Sequence, residues 1–213
     1  MTDRLKEIFI NIDECEVFAD VGCDHGYIAK AMLKSGKSKK VIVSDISAKC
    51  LQKAIDLLSK EIAENKAVAI VSDGFKNLPQ CDLALIAGMG GEEIISIIEN
   101  APKLPEKLIL QPMKNLEKVR TFLVEKGYKI ILDYVFYKNG KFYDLIKVEK
   151  GIDTLTQEEI EFGRTNLIEK GSAFTKRLKE DIKKLSDIKE GGKLGKESLL
   201  KIQAKIERLS RYV

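Results

Sequence analysis

The chain has 213 residues, enough for one domain of typical size and a smaller appendage. Its hydrophobic fraction of 44% is sufficient for a buried core, and its formal net charge of +4 is only mildly basic. The four cysteines show no C-x-x-C spacing and the only histidine is His25, so we expect no structural metal site. No apolar run is long enough for a membrane span and no secretory signal is recognisable, so we expect a cytoplasmic protein without disulfides.

After a short amphipathic helix within 1–12, strands and helices are predicted to alternate. Strands are predicted at 17–21, 40–45, 67–71, 82–87 and 108–111. Helical spacing of apolar residues follows them at 27–35, at 47–62, up to about 100, and at 116–127. This alternation is typical of an α/β fold with a parallel sheet covered by helices on both faces.

The pattern changes after 127. Two β-rich runs, 128–137 and 141–148, are joined by Lys138-Asn139-Gly140. Asn-Gly between two such runs is the strongest local signal for a hairpin. The sheet is therefore predicted to end in an antiparallel pair, which is unusual for a dinucleotide-binding domain and typical of methyltransferases that bind S-adenosylmethionine.

A helical C-terminal domain is predicted over 151–213, after a first domain over 1–150. Thr156 followed by Glu159 forms a capping-box pattern, and two longer helices are predicted at about 173–188 and 196–211. Glycines are predicted to separate these two helices: Gly191, Gly192 and Gly195.

The last helix carries apolar residues at close to coiled-coil spacing, so an α-helical hairpin is expected. These residues are Leu199, Ile202, Ile206 and Leu209. From Gly151 onward there are 14 basic and 11 acidic residues, a net charge of +3. This segment is interpreted either as a surface that contacts phosphates or as a solvated coiled coil used for packing or dimerisation.

The stretch from Phe18 to Tyr27 predicts a strand, a tight glycine turn and the start of a helix, a common way to hold a nucleoside. Counted from Gly22, the three glycine positions of the dinucleotide fingerprint hold Gly22, Asp24 and Tyr27, so that motif fails twice. The spacing of Asp20, Gly22 and Gly26 fits the first motif of adenosylmethionine enzymes better. Asp24 would also repel a pyrophosphate but tolerate a cation. The alternative is an ordinary glycine turn.

Carboxylates follow the next two strands. Asp45 ends the second strand and could accept hydrogen bonds from both ribose hydroxyls of a nucleoside, although acids near a helix start are also common. Asp73, after the third strand, could similarly receive an adenine amino group. Their neighbours Ile46 and Gly74 are predicted to belong to the same cofactor site.

The turn Ala87-Gly88-Met89-Gly90-Gly91 follows the fourth strand, where ligands of such folds bind. Its glycines allow a close approach of backbone to ligand. Enzymes that methylate an exocyclic amine usually carry an Asn/Asp-Pro-Pro-aromatic motif here, and this turn has no proline. A target nitrogen with its own lone pair is therefore favoured. Met89 as a plain core residue is the alternative.

Three residues of the first loop are candidates for catalysis: Asp24, His25 and Tyr27. Asp24 could orient the nucleophile and accept a proton afterwards. His25 could act as a base, but a lone histidine is more often a hydrogen-bonded structural residue. Tyr27 could stack on a target base or simply pack against the sheet.

Four motifs together resemble a known family. Asp20-Val21-Gly22-Cys23-Asp24-His25-Gly26-Tyr27 resembles its D-x-G-[ST]-D-H-[AG]-Y signature, with Cys23 in place of a small hydroxyl residue. Residues 87–91 match its A-G-M-G-G, residues 108–112 its L-I-L-Q-P, and residues 140–143 its Gly-Lys-x-Tyr. Arg4-Leu5 resembles its opening R-L pair. The family is the bacterial tRNA (adenine-22-N1)-methyltransferases, and the resemblance covers residues 1–150, whereas the tail matches only in being helical.

The resemblance implies methylation of N1 of adenine-22, in the D-arm region of tRNA, with S-adenosyl-L-methionine as cofactor and without metal. It implies a class I methyltransferase fold, a Rossmann-like sheet that is parallel except for one antiparallel strand, with a C-terminal coiled-coil hairpin. The expected cofactor-binding residues are Asp20, Gly22, Asp24, Asp45, Ile46, Asp73, Gly74, Ala87, Gly88 and Met89. The expected substrate-binding residues are Arg4, Gly90, Gly91, Gln111 and Pro112.

The expected partner is tRNA. We expect a monomer, with weak dimerisation through the helical tail as the alternative. Two other functions stay open at this point: a methyltransferase that acts on a small metabolite, and a non-catalytic RNA-binding scaffold with a degenerate nucleotide pocket.

Overall fold

The computed structural model describes residues 1–191 and 196–213. Its strands are β1 Cys15–Val21, β2 Ser38–Asp45, β3 Ala67–Val71, β4 Leu83–Met89, β5 Lys107–Pro112, β6 Tyr128–Lys138 and β7 Lys141–Lys150. Its helices are α1 Asp3–Ile10, α2 Tyr27–Ser35, α3 Ala48–Leu57, α4 Ser59–Ala63, α5 Gly91–Glu99, α6 Leu116–Glu125, α7 Gln157–Phe162, α8 Arg164–Glu169, α9 Ser172–Glu190 and α10 Lys196–Ser210. No helix in the described ranges is long and apolar enough to cross a membrane.

The seven strands form one sheet in the order β3-β2-β1-β4-β5-β7-β6. Strands β1 to β5 pair in parallel, and β7 runs antiparallel to both of its neighbours, β5 and β6. The predicted fold class, a parallel sheet with one antiparallel strand and closing hairpin, is confirmed. The chain order reverses between β1 and β4, which opens a crevice at the carboxyl ends of these central strands.

Helices cover both faces of the sheet, which explains why β4 is apolar at consecutive positions. Leu83 and Leu85 point into the core under α1, α2 and α3, whereas Ala84 and Ile86 point into the core under α5 and α6. All four side chains are buried. A strand that alternated apolar and polar residues would place polar side chains in one of the two cores.

One predicted element is wrong in its extent. The helix expected over 47–62 is broken at Leu58 into α3 and α4. Leu58 has φ −100° and ψ 13°, and its side chain is completely buried in the core. Packing of this side chain therefore sets the local backbone, although the helical spacing of apolar residues continues through it.

The tail covers the open edge of β6. Three backbone N–H groups of this strand have no partner strand and donate instead to tail side chains. Ile130 donates to Asp153 Oδ2 at 3.0 Å, Asp133 to Thr165 Oγ1 at 2.9 Å, and Val135 to Asn166 Oδ1 at 3.0 Å. These bonds replace the ladder that another strand would form, and so they protect the edge from pairing with another chain.

A buried ion pair lies beneath this edge. The Arg120 guanidinium in α6 donates to both carboxylate oxygens of Asp133 in β6, at 2.6 and 3.1 Å, and both side chains are at most 2% exposed. Arg120 also donates to the carbonyls of Ile160 and Glu161, at 2.8 and 3.1 Å. Gly163 passes so close that an added Cβ would lie 2.8 Å from the Asp133 carboxyl. One guanidinium therefore joins α6, β6 and the tail.

The two long tail helices, α9 and α10, pack on each other, and their apolar side chains meet those of β6 and α7. Together these side chains form a third core: Val135, Phe162, Phe174, Leu178 and Leu209. The predicted helical hairpin and the capping box at Thr156 are confirmed. Gly192 and Gly195, predicted to separate the helices, lie outside the described residues, and the division into domains 1–150 and 151–213 stays a prediction.

Replacing Arg120 with Met should lower the free energy of unfolding by about 3–5 kcal/mol, because it leaves the Asp133 carboxylate buried without its partner. Chemical denaturation followed by circular dichroism measures the change. A matched control on the same helix is Lys118→Met, which removes an exposed ion pair with Glu92 and should change stability little. Equal stability of the Arg120 and Lys118 variants would show that the buried pair does not hold the tail.

Candidate functional site

A cleft of about 610 Å³ lies at the carboxyl ends of β1 and β4. Four parts of the chain line it: the start of α1, the loop between β1 and α2, the end of β4, and the β6–β7 hairpin. This is the crevice where open α/β sheets bind their ligands. The structure therefore brings the predicted first loop and the predicted glycine turn after β4 into one site.

The floor of the cleft requires glycine at position 22. Gly22 has φ +71°, and its N–H and that of Cys23 donate to the carbonyl of Ser44 at 2.8 and 3.0 Å. A Cβ added to Gly22 would lie 2.0 Å from the Cε of Met89. The left-handed backbone therefore favours glycine here, and a larger residue would also have to displace the terminal methyl of Met89.

Asp20, the penultimate residue of β1, places a buried carboxyl at the cleft. Burial raises the pKa of Asp20 to about 7, although the backbone amide of Ala29 at the start of α2 acts in the opposite direction. Burial also raises the pKa of the neighbouring Cys23 thiol, which is therefore an unreactive thiol at neutral pH.

Asp24 stands in the left-handed region, with φ 47°, and both of its carboxylate oxygens are engaged. Oδ1 accepts a hydrogen bond from Lys53 Nζ at 2.8 Å, and Oδ2 lies 2.6 Å from His25 Nδ1. The hydrogen bond from the Lys53 ammonium, with a smaller contribution from His25, outweighs the opposing effect of burial and leaves the pKa of Asp24 below its usual range. A carboxylate held ionised in this way is a weak base, so the geometry does not favour Asp24 as the proton acceptor.

His25 and Tyr27 form an aromatic pair at the mouth of the cleft. Their rings are stacked, with centroids 5.4 Å apart and planes only 6° from parallel. Tyr27 is exposed, so it does not pack against the sheet as the alternative interpretation required. All three residues predicted for catalysis line the cleft.

The residues predicted to bind the ribose and the adenine lie along the same edge of the sheet, outside the immediate lining of the cleft. Asp45 Oδ1 accepts a hydrogen bond from the Ser47 N–H at 2.8 Å, so part of its role is to fix the start of α3. Ile46 is 70% exposed, and Asp73 pairs with Lys76 at 2.6 Å. Gly74 has φ +61° and packs against Ile97.

The turn after β4 divides into two parts. Ala87, Gly88 and Met89 line the cleft. Gly90 and Gly91 instead meet Lys114, and a Cβ added to Gly91 would lie 2.5 Å from the Lys114 carbonyl oxygen. The structure thus gives Gly91 a role in packing α5 against the loop after β5.

On the opposite side, α1 places Arg4 in the cleft. Arg4 Nη1 donates to Gln111 Oε1 at 2.6 Å, and its guanidinium lies 5.9 Å from the ring centroid of Tyr143. Gln111 is completely buried and Pro112 is buried beside it, so neither lines the cleft directly. Of the predicted substrate residues, only Arg4 reaches the lining.

Several lining or supporting residues are missed by sequence reasoning: Thr2, Leu5, Ile28, Lys53, Leu85, Asn139 and Tyr143. Three of them carried a signal, and Leu5 is one, because it belongs to the Arg4-Leu5 pair of the resemblance. Asn139 belongs to the Asn-Gly turn and Tyr143 to the Gly-Lys-x-Tyr motif, and both had been used only for the fold and the resemblance. No local pattern in the sequence indicated Lys53, because 29 residues separate it from its partner Asp24.

Comparisons with known proteins identify a family and several relatives of this chain. Residues 18–211 match the family model described as tRNA (adenine(22)-N(1))-methyltransferase. A Mycoplasma genitalium relative, named as a candidate tRNA methyltransferase, is 31% identical over 62% of this chain and 61% of its own length. The tRNA (adenine(22)-N(1))-methyltransferase of Bacillus subtilis is 26% identical over 89% of this chain and 84% of its own.

A solved structure is similar over the whole fold. It is that of M. capricolum TrmK in complex with the cofactor product S-adenosyl-homocysteine. The likeness has a TM-score of 0.87 with 26% identity and covers 100% of this chain and 97% of that one.

Between pH 4 and pH 7 the contribution of Asp20 to the free energy of unfolding should fall as the pH rises. In the unfolded chain this carboxyl ionises near its ordinary pKa of 3.8, and in the folded protein only near 7. The folded state therefore holds a proton that the unfolded state has released, and stability decreases by at most about 4 kcal/mol across the window.

Denaturation curves recorded at several pH values compare the wild type with Asp20→Asn, whose neutral amide removes this contribution. Asp56→Asn, at an exposed position of α3, serves as the control and should retain it. Parallel pH profiles for the wild type and Asp20→Asn would contradict the assignment.

Proposed function

The chain belongs to the tRNA (adenine(22)-N(1))-methyltransferase family, and from this premise we propose that it methylates N1 of adenine-22 in tRNA with S-adenosyl-L-methionine as the methyl donor. The chain spans 61% of the length of the Mycoplasma genitalium relative, so substrate and partner are part of the proposal. The observation that carries it is the cleft, which joins the Asp20–Tyr27 loop and the glycine turn after β4 at the centre of the sheet.

The residues of the cleft fit this cofactor. Gly22 and Gly88 present backbone without side chains, and Asp20 and Asp24 present carboxyl groups. The ionised Asp24 would repel a pyrophosphate, whereas it favours a nucleoside with a positive centre. When bound, the cofactor supplies an electrophilic methyl group on a sulfonium.

Asp20, Gly22 and the residues 87–89 would hold the cofactor within the cleft, and Asp24 would lie beside it without contributing much to its affinity. At the neighbouring strand ends, the Asp45 carboxylate is available for ribose hydroxyls. The exposed side chain of Ile46 offers an apolar face beside it, and Asp73 and Gly74 follow at the end of β3.

Adenine N1 has a free lone pair at neutral pH, so its attack on a methyl group requires no prior deprotonation and no metal. The chain therefore does not need a strong base, in agreement with the low pKa of Asp24. Asp24 instead fixes His25 through Nδ1 and keeps a negative charge beside the adenine, which becomes positively charged on methylation. The parallel rings of His25 and Tyr27 offer a flat surface for the exposed base.

The tail extends this site towards the rest of the RNA. Lys176, Lys179 and Lys183 are exposed on one side of α9 and border one shallow groove. Lys176 Nζ lies 3.5 Å from the ring centroid of Tyr137, in the same hairpin whose Asn139 lines the cleft. Although Glu180 lines the same groove, these exposed lysines near the hairpin support phosphate contacts over a purely structural coiled coil. The proposal includes a monomeric enzyme that acts in the cytoplasm.

Incubation of the protein with labelled S-adenosyl-L-methionine and bulk bacterial tRNA should transfer label to the RNA. Mass spectrometry of the nucleosides and of nuclease fragments should then locate N1-methyladenine at position 22. Label in a small metabolite but not in RNA, or tight cofactor binding without any turnover, would each contradict the proposal.

Two carboxylates should separate binding from turnover. Asp45→Ala should weaken cofactor binding by about 1–3 kcal/mol, because it leaves ribose hydroxyls unpaired. Asp24→Ala should lower kcat while cofactor affinity stays within a few-fold. Calorimetry with S-adenosyl-homocysteine and steady-state kinetics measure the two effects, and Asp56→Ala at the exposed side of α3 is the control. If Asp24→Ala instead abolishes cofactor binding, Asp24 belongs to the cofactor site alone.

A further inference from the structure

Arg4 carries a positive charge that the protein itself does not neutralise. Its guanidinium is half-buried in the cleft, and its hydrogen-bond partner is the neutral amide oxygen of Gln111. No ion pair joins Arg4 to a carboxylate within residues 1–191 and 196–213. Partly buried charges in proteins are normally paired, so an unpaired guanidinium in a ligand cleft indicates that a ligand supplies the opposite charge.

Gln111 fixes the direction of this charge. Its side chain is completely buried, and its Nε2 donates to the carbonyl of Pro112 at 3.3 Å, so that Oε1 is turned towards Arg4. One N–H of Arg4 is used at 2.6 Å, and its remaining donors have no hydrogen-bond partner among residues 1–191 and 196–213. Gly88 leaves room beside them, since a Cβ added there would lie 3.3 Å from Arg4 Nη1.

Helix α1, which carries Arg4, is held on the domain from several sides. Lys37 Nζ donates to the carbonyls of Ile12 and Phe9 near the end of α1, at 2.6 and 3.2 Å. Glu7 accepts a hydrogen bond from Tyr134 Oη at 2.9 Å. Arg4 is therefore a preorganised group and not a mobile surface cation.

We propose that Arg4 is the receptor for an oxyanion of the ligands that enter the cleft, with Gln111 as its positioning residue. A guanidinium fork matches the two oxygens of a phosphate or a carboxylate. The ionised Asp24 carboxylate on the other wall repels an anion, which favours the side of Arg4. The oxyanion is either a phosphate of the RNA next to the target nucleotide or the carboxylate of the cofactor's amino acid, and the inference rests on the proposed function.

Three variants test this inference. Arg4→Gln removes the charge, Arg4→Lys keeps the charge without the fork, and Gln111→Glu keeps Arg4 in place but supplies it with an internal counter-charge. Lys6→Gln is the control, because it removes one exposed positive charge from the same helix, outside the cleft. Thermal unfolding shows whether each variant folds. If an Arg4 variant does not fold, Gln111→Glu provides the test, and if Gln111→Glu does not fold, the Arg4 variants provide it.

Two binding measurements distinguish the sources of the oxyanion. If it is an RNA phosphate, Arg4→Gln and Gln111→Glu should weaken tRNA binding roughly 10- to 100-fold. They should also reduce the slope of log K against log salt concentration by about 0.7–0.9. If it is the cofactor carboxylate, affinity for S-adenosyl-homocysteine should fall by a similar factor, while affinity for 5′-methylthioadenosine, which lacks the amino acid, stays unchanged.

In both cases Arg4→Lys should retain part of the affinity, and Lys6→Gln should match the wild type. Affinities of Arg4→Gln and Gln111→Glu within two-fold of the wild type for both tRNA and S-adenosyl-homocysteine would overturn the inference. Failure of the proposed function gives a different result. In that case the wild type transfers no methyl group to tRNA, although its ligand affinities still depend on Arg4.

Discussion

The buried pair of Arg120 and Asp133 links the sheet to its tail, and the geometry of the cleft depends on that link. Asp133 belongs to β6, whose hairpin partner β7 carries Tyr143 on the cleft wall. The same guanidinium binds two carbonyls at the end of α7. A single buried charge pair thus attaches β6 to the tail. On its other side β6 contacts α1 through the hydrogen bond from Tyr134 to Glu7. Contacts with the tail and with α1 therefore fix the hairpin, and with it the wall of the cleft that the hairpin forms.

The two walls of the cleft differ in charge. Asp20 and Asp24 belong to the loop after β1, and Arg4 stands on α1. The two carboxyl groups also differ from each other: burial keeps Asp20 protonated up to near neutral pH, whereas Lys53 keeps Asp24 ionised. Such a site can accept a ligand with both a positive and a negative centre in only one orientation. Charge placement therefore contributes to specificity as well as to affinity.

The fold could be predicted in most of its elements because their signals are local. The apolar run of β4, the Asn139-Gly140 turn and the capping box at Thr156 each lie within a few residues of sequence. The Asp20–Tyr27 loop was located for the same reason. The contacts that define the site could not be predicted in this way: 29 residues separate Lys53 from Asp24, and 107 separate Arg4 from Gln111. Such pairs form only when the sheet order brings distant strand ends together, and no residue spacing encodes them.

The side chains of the tail that cap β6 determine whether the sheet could exist without the tail. Without Asp153, Thr165 and Asn166, three N–H groups along the outermost strand would lose their acceptors beside an uncovered apolar strip. An exposed strand of this kind adds to the same strand of another molecule, and the outcome is polymerisation of the sheet. The tail thus covers the edge strand of the sheet, and the sheet without the tail is expected to be prone to aggregation.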